Sequence, residues 1–590
     1  MLTDSKLPPD GVGLGFEHDY PAHGYSAMEE AVLWANSLAQ SLHRNFYQNG
    51  HVVFSYRPRI TTEESVAQFP RKVDGLRVLL INPVIREWAY PNILPLGLAY
   101  IASVAVQDGH EVHVLDLNAE RREPLSRSPV VSATYADWEE NLVIRAIEDF
   151  KPQVIGIGGI ITQYRTIKHI LTLCREFAPG AFLVLGGGIA SSMPEFMVRK
   201  LPVDAVVIEE GEVTFSHLLE QSQAWLTIPG VLGKCVPEGH PVHRASVKSG
   251  KDGLDYLPWP LRSLFPMEEV YKRNPVGHLN WERKWVDGGP VDVTKYSGEM
   301  IASRGCPYAA RACDYCYASY LGVEYRLRSP EDVVDEMEYL QQRYGLSYIH
   351  FLDDLMLTDY RWNLAFCDAL ARRRKRSGFE IEWGGTCRTN IVAADIDRAR
   401  RERRPHFLEQ AHEVGMRQVG YGIESGSPTI LKNIDKTGQT PDRIMVAVLE
   451  TQRIFGYADC SFMIGSPGET PETVKETVEL CKRIGLRPEV FFFTTAYPGT
   501  PFWKLALEKG LVRKAVTGEK GPADDAIIEE YFMLLGEQGE KVRTNFSDLD
   551  DKEIEELSWW AIKELGAQNT VARHPHTGDV EVRPASGATL

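Results

Sequence analysis

Two stretches of this chain, Gly75 to Glu212 and Met300 to Thr500, alternate short apolar segments with helical ones, and that double alternation restricts the fold more than any other feature. In the first, Leu76 to Asn82, Glu111 to Asp116, Val154 to Gly159, Phe182 to Gly188 and Ala205 to Glu212 read as five strands. Helices separate them, among them Leu96 to Gln107, Asn141 to Phe150 and Thr166 to Phe177. Strands that are apolar along their length must be covered on both faces, so the pattern predicts a parallel sheet in a doubly wound α/β domain. In the second stretch, Met300 to Ser303, Tyr348 to Asp354, Ile381 to Arg388, Gln418 to Gly426, Cys460 to Thr470 and Val490 to Thr500 supply six strand-helix units. Ser329-Pro330-Glu331-Asp332 opens one of their helices with a capping hydroxyl, a proline at the first position and acids in the first turn.

At 590 residues the chain exceeds what one core sustains. It divides into an extension, 1–74, with an amphipathic helix from Ser26 to Tyr47; the doubly wound domain, 75–221; a connector rich in Pro, Gly and Trp, 222–295; the second alternating domain, 296–505; and a helical C-terminal segment, 506–590. In that last segment Asn545 to Asp551 caps a helix, and the tail from about His576 is expected to be mobile. The net charge of -16, without a long basic run, offers no footprint for nucleic acid. No apolar stretch approaches the ~20 residues that cross a bilayer, and the first thirty residues lack the pattern of a secretory signal.

Three of the nine cysteines, Cys306, Cys313 and Cys316, fall within one short loop, and the others are scattered. An odd, mostly dispersed set is not a disulfide framework, and it fits a reducing compartment such as the cytoplasm. Three thiolates can hold three irons of a cubane cluster and leave the fourth iron open, whereas a structural zinc or a plain electron-transfer cluster normally takes four protein ligands. Cys174, Cys367, Cys387 and Cys481 read as small buried apolar residues.

The triplet, with Glu299 to Arg304 before it and Tyr315 just ahead of its last cysteine, resembles the cluster loop of radical S-adenosylmethionine (SAM) enzymes. The usual spacing there is Cys-x3-Cys-x2-Cys; here it is Cys-x6-Cys-x2-Cys. The resemblance implies a partial (β/α)6 barrel with its active residues at the strand C-terminal ends, a [4Fe-4S] cluster on Cys306, Cys313 and Cys316, and SAM at the open iron. Gly422-Ile423-Glu424-Ser425 resembles the segment that holds the methionine and ribose part of SAM, which implicates Glu424 and Ser425. Gly465 to Glu469 resembles the segment flanking adenine, which implicates Gly465 and Glu469, and Tyr315 resembles the aromatic that also meets adenine. Arg388 is the candidate partner for the SAM carboxylate. Asp353 and Asp354 fit ligand contact and helix capping equally.

In a doubly wound sheet, ligands sit beyond the carboxyl ends of the strands, where Asn82, Asp116, Gly158, Gly159 and the Gly186-Gly187-Gly188 turn fall. The first strand runs into Val84-Ile85-Arg86-Glu87 rather than Gly-x-Gly-x-x-Gly, which disfavours a dinucleotide. Asn82-Pro83, Pro95 to Tyr100, Gly158-Gly159 followed by Thr162, the glycine turn with Gly187 and Gly188, and Glu210-Gly211-Glu212 together resemble the cobalamin-binding domain that precedes the barrel in one radical SAM subclass. No histidine lies between His51 and His110, so the resemblance implies a corrinoid bound with no histidine beneath cobalt. Leu257-Pro258-Trp259-Pro260 resembles the proline element between the two domains of that subclass.

The resemblance implies an enzyme that C-methylates an unactivated carbon of a small-molecule biosynthetic intermediate through a 5'-deoxyadenosyl radical and methylcobalamin, fed by an electron donor such as flavodoxin or ferredoxin. Three alternatives stay open: a cyclase or rearrangement enzyme using both cofactors without methyl transfer, a non-catalytic corrinoid-binding module, and a zinc-dependent or polar methyltransferase. Trp88, Tyr90 and Trp383 are candidates for an apolar cavity lining, although aromatics more often pack in cores.

Overall fold

The computed structural model describes residues 47–48, 51–52, 60–85, 93–120, 129–220, 228–234, 253–273, 295–308, 313–317, 324–488, 490–535, 542, 544–566, 569–573 and 580–584. Trp88, Tyr90 and the expected N-terminal helix, apart from Tyr47, lie outside them; Tyr47 opens a short antiparallel pairing with the 51–52 strand.

The first sheet has six strands: β1 (Arg77–Asn82), β2 (Glu111–Asp116), β3 (Val154–Gly158), β4 (Phe182–Gly186), β5 (Ala205–Val207) and β6 (Val231–Gly233). Their spatial order is β2-β1-β3-β4-β5-β6. The first five run parallel, and β6, from the stretch read as connector, adds an antiparallel edge. Helices cover both faces, so Val78, Leu79, Leu80, Ile81, Ile155 and Leu183 are fully enclosed. The order reverses between β1 and β3, and ligands bind at such a switch point.

The second sheet contains β7 (Tyr296–Met300), then, after the hairpin of β8 (Ser303–Arg304) and β9 (Arg326–Leu327), β10 (Leu346–Phe351), β11 (Glu382–Cys387), β12 (Met416–Glu424), β13 (Asp459–Ile464) and β14 (Phe492–Phe493). The parallel order is β14-β13-β12-β11-β10-β7, a curled half-barrel. Its outer face packs on helices, where Phe351, Phe366 and Trp383 meet edge to face. Trp383 is therefore a core residue, not a cavity wall. Ser329 caps the helix Pro330–Tyr344 by accepting from the Asp332 amide at 3.3 Å, as its sequence predicts.

Beyond residue 500 the chain packs on both domains. Phe502, Trp503, Tyr531, Phe532 and Phe546 join the core of the first domain, whereas Ile554, Ala561 and Ile562 of the helix Asp551–Glu564 pack on the barrel. Within the C-terminal segment, Val580–Pro584 pairs antiparallel with Asn569–Arg573, Val571 opposite Val582.

Candidate active site between the two domains

The cysteine loop hangs from a closed neck. β8 pairs antiparallel with β9, Ser303 opposite Leu327 and Arg304 opposite Arg326, so the loop leaves and re-enters the barrel at one point. The Cys316 amide donates to the Cys313 carbonyl at 2.9 Å, a turn that sets these two thiols near each other. Asp314 is pinned from both sides: its amide donates to Ile434 O at 3.1 Å, and its carbonyl accepts from the Phe502 amide at 3.1 Å. Cys313 is buried, Cys306 and Cys316 are half-buried, and all three are free thiols. Burial raises the Cys306 thiol, and the nearby charges of Cys316, Asp354 and Cys313 raise it further. The three sulfurs do not all lie within 4.8 Å of one another; among the described residues only His406, Glu409 and Glu450 form such a group. At that group Arg453 already bridges Glu409 and Glu450, both at 2.6 Å.

At the end of β12, Glu424 adopts φ +68°, a left-handed conformation that is costly for a non-glycine residue. It turns the carboxylate toward the cysteine loop, where Oε1 accepts from the Tyr315 hydroxyl and from Lys436 Nζ, both at 2.8 Å; Lys436 also donates to the Tyr315 oxygen at 2.8 Å. Burial and the Glu424 charge hold the Tyr315 phenol well above its usual range. Ser425 is turned away, its hydroxyl 3.1 Å from Thr477 Oγ1 and accepting from the Ser427 amide. Glu469 folds back on its own turn, accepting from the Gly465 and Ser466 amides at 3.1 and 3.2 Å, and burial pushes it up to about 7. Gly465 takes φ +85° at that turn. Arg388, at the end of β11, donates from Nη2 to Thr437 O at 2.8 Å.

One of the two aspartates has a structural role as well. Asp353 accepts from the Ala302 amide at 3.0 Å and from the Ser303 hydroxyl, and burial raises it to about 6, so it fastens the start of the cluster neck. Asp353 and Asp354 both line a cavity of about 560 Å³ between the domains. From the first domain, Asn82, Gly97, Gly158, Gly159, Gly186, Gly187, Gly188, Glu210 and Gly211 line this cavity; the barrel contributes Ser303, Arg304, Gly305 and Asp354. A Cβ added to Gly97 or Gly186 would meet no protein atom within 4 Å, and one on Gly158 only Leu98 at 4.0 Å. Packing does not demand these glycines; they keep the cavity floor clear for a large flat ligand approaching the backbone. The floor therefore fits a corrinoid.

Not every candidate reaches the cavity. Asp116, Pro83 and Thr162 do not line it. Asp116 instead accepts from Asn82 Nδ2 at 2.7 Å, the Ala119 amide at 3.1 Å and the Tyr271 hydroxyl at 2.6 Å, tying the connector to the sheet. Glu210 and Glu212 meet Arg304, at 3.3 and 2.9 Å, and Arg326 also pairs with Glu210. Burial raises Glu212, but the charge and hydrogen bonds of Arg304, its own amide and the charge of Arg326 together outweigh it, and the net shift is downward. The sequence reading missed Lys436, Arg304, Tyr308 and Tyr317; three of these lie within two residues of a cysteine of the triplet, the signal that could have found them.

Comparison with known proteins agrees with this geometry. Residues 84–219 match the B12 binding domain model and residues 300–500 the radical SAM superfamily model. An uncharacterized methyltransferase of Pyrococcus horikoshii is 30% identical over 74% of this chain and 84% of its own length. The chain belongs to the radical SAM superfamily, in the branch that carries a B12-binding domain. A second relative, cytidylyl-2-hydroxyethylphosphonate methyltransferase of Streptomyces wedmorensis, is 26% identical over 74% of this chain and 82% of its length. The radical SAM methyltransferase TsrM from Kitasatospora setae, solved with cobalamin and a [4Fe-4S] cluster bound, shares the fold with a TM-score of 0.57 at 21% identity, over 83% of this chain and 91% of that one. No described helix is long and apolar enough to cross a membrane.

Proposed function

We propose that this radical SAM enzyme transfers a methyl group to an unactivated carbon of a small-molecule biosynthetic intermediate, using a [4Fe-4S] cluster, SAM and cobalamin. The observation that carries the reading is the shared cavity: one wall is the glycine floor of the B12-binding domain, and the other is Arg304, Gly305 and Asp354 beside the cysteine loop. A substrate held there faces both cofactor sites at once. The methyltransferase relatives favour this over the cyclase reading, and the three-cysteine loop with its barrel argues against a non-catalytic module.

When bound, the cluster with SAM supplies one-electron cleavage of the sulfonium, and the corrinoid supplies the methyl group. Cys306, Cys313 and Cys316 would hold the cluster. Glu424, oriented by Lys436 and Tyr315, would bind the ribose end of SAM, and Arg388 its carboxylate. The chain's own task is to orient these groups and exclude water, within a reducing cytoplasm and with reduced flavodoxin or ferredoxin as donor.

The test is anaerobic purification with iron, sulfide and corrinoid quantified, then mass analysis of SAM products with dithionite present. Cys313→Ala should abolish 5'-deoxyadenosine formation. A methylated product is heavier than substrate by one CH2; a product without that gain points to the cyclase or rearrangement reading.

A further inference from the structure

Four arginines of the described chain are deeply buried: Arg262, Arg326, Arg328 and Arg388. Three are paired with carboxylates, Arg262 and Arg328 with Glu336 and Arg326 with Glu210. Arg388, 5% exposed, has no carboxylate within ion-pair distance among the described residues, and its Nε-H meets no acceptor. Isolated charge buried at this depth is costly unless an anion compensates it. Arg388 therefore marks a place for an anionic group that the described residues do not supply. Thr437, whose carbonyl takes one Nη2 hydrogen, follows Lys436, so one loop joins Arg388 to the Glu424 and Tyr315 cluster.

The first arm of the cysteine loop completes this site. Two residues past Cys306, the Tyr308 ring lies against the Arg388 guanidinium, 4.0 Å from ring centroid to Cζ, and Asn390 Nδ2 donates to the Tyr308 hydroxyl at 2.9 Å. An aromatic face on a guanidinium covers its plane and leaves its N-H edge free, the edge that forks onto a carboxylate.

We propose that Tyr308 is a positioning residue: it fixes the plane of Arg388 so that the free edge receives the carboxylate of SAM. This rests on the placement of SAM in the proposed function. It also gives the cysteine loop a second duty, since the arm that brings Cys306 to the cluster would at the same time shape the site for the molecule the cluster acts on.

The experiment is equilibrium dialysis of SAM and of decarboxylated SAM against anaerobically reconstituted protein, with iron and sulfide content and the reduced-cluster electron paramagnetic resonance signal measured on each variant. The wild type is expected to bind SAM at least about 10-fold more tightly than the decarboxylated analogue, as a charge-assisted fork implies. Arg388→Leu should bring that ratio close to one. Tyr308→Leu, with cluster content unchanged, should lower it by about 3-fold or more, the range of a partly desolvated cation-π contact, while Tyr308→Phe keeps most of it. A wild-type ratio near one, or a ratio surviving Arg388→Leu, overturns the SAM placement itself. A ratio lost in Arg388→Leu but kept in Tyr308→Leu overturns the role of Tyr308 alone. If Tyr308→Leu takes up less iron, Asn390→Ala, which only releases the hydroxyl, is read instead: a fall of about 2-fold supports the proposal and an unchanged ratio overturns it.

Discussion

Tyr317 donates its hydroxyl hydrogen to the carbonyl oxygen of Gly188, so the residue that follows the third cysteine of the loop touches the glycine rim of the cavity in the other domain. The ring is closely packed there: a Cβ on Gly188 would stand 3.1 Å from its Cε1 and one on Gly499 3.5 Å from its Cε2. One peptide bond separates this contact from Cys316, so the cluster loop and the cavity floor share a fixed distance. Tyr317→Phe removes the hydrogen bond and keeps the ring. A neutral hydrogen bond is worth about 1 kcal/mol, so hydroxocobalamin should bind about 5-fold more weakly, measured by absorbance titration, with iron content unchanged. Unaltered corrinoid affinity would mean that the contact is incidental.

Gly186 offers a cleaner probe of the cavity. Its backbone is extended, φ -127° and ψ -173°, and an added Cβ meets no protein atom within 4 Å. Gly186→Leu should therefore fold with a melting temperature close to that of the wild type, yet its side chain would fill space over the sheet edge. Corrinoid content after reconstitution should fall to near zero while iron stays at the wild-type value. A variant that loses stability instead would show that packing, not a ligand, requires the glycine.

Much of this architecture was legible because burial on both faces leaves continuous apolar runs. The helix Leu96–Gln107 and strand Glu111–Asp116 have the bounds their sequence predicts. The first barrel strand is displaced: Tyr296–Met300 was expected to begin at Met300, because Ser297 and Glu299 break the apolar run although both are buried. β6 was hidden in the connector, since three residues at a sheet edge carry too little pattern. The cysteines announced themselves by density, but Lys436 reaches Glu424 from twelve residues away across a helix, and no local spacing signals a buried lysine. Asp116 shows the opposite failure: its position at a strand end was read correctly as a place, while its use, bracing Tyr271, depends on a partner more than a hundred residues distant.

The Arg304 link between domains should dominate their mutual stability. Glu212 is 5% exposed, and Arg304 supplies its ion pair. Arg304→Leu would leave that carboxylate buried and unpaired, which costs about 3–5 kcal/mol, so a lowered first melting transition is expected in calorimetry. Arg326→Leu should cost less, because Glu210 would keep Arg304 at 3.3 Å. Equal losses in the two variants would show that the network does not act through Glu212.

The pH dependence of stability should carry the mark of Glu299 on β7, an acid enclosed where the two domains meet. Burial raises it from 4.5 to about 8, despite a hydrogen bond accepted from the Leu94 amide at 3.4 Å. With the folded value above the unfolded one, the native state holds the extra proton between those limits, and the unfolded chain releases it. The stabilising effect is complete below about pH 4.5 and is lost as pH rises through 8, since stability falls with pH wherever the native state binds more protons. Glu299→Gln keeps an acceptor for Leu94 and removes the titration. The variant should melt close to the wild type near pH 5 and above it near pH 9, with the gap opening between those values. A constant difference across that range would show that Glu299 keeps the same protonation state folded and unfolded.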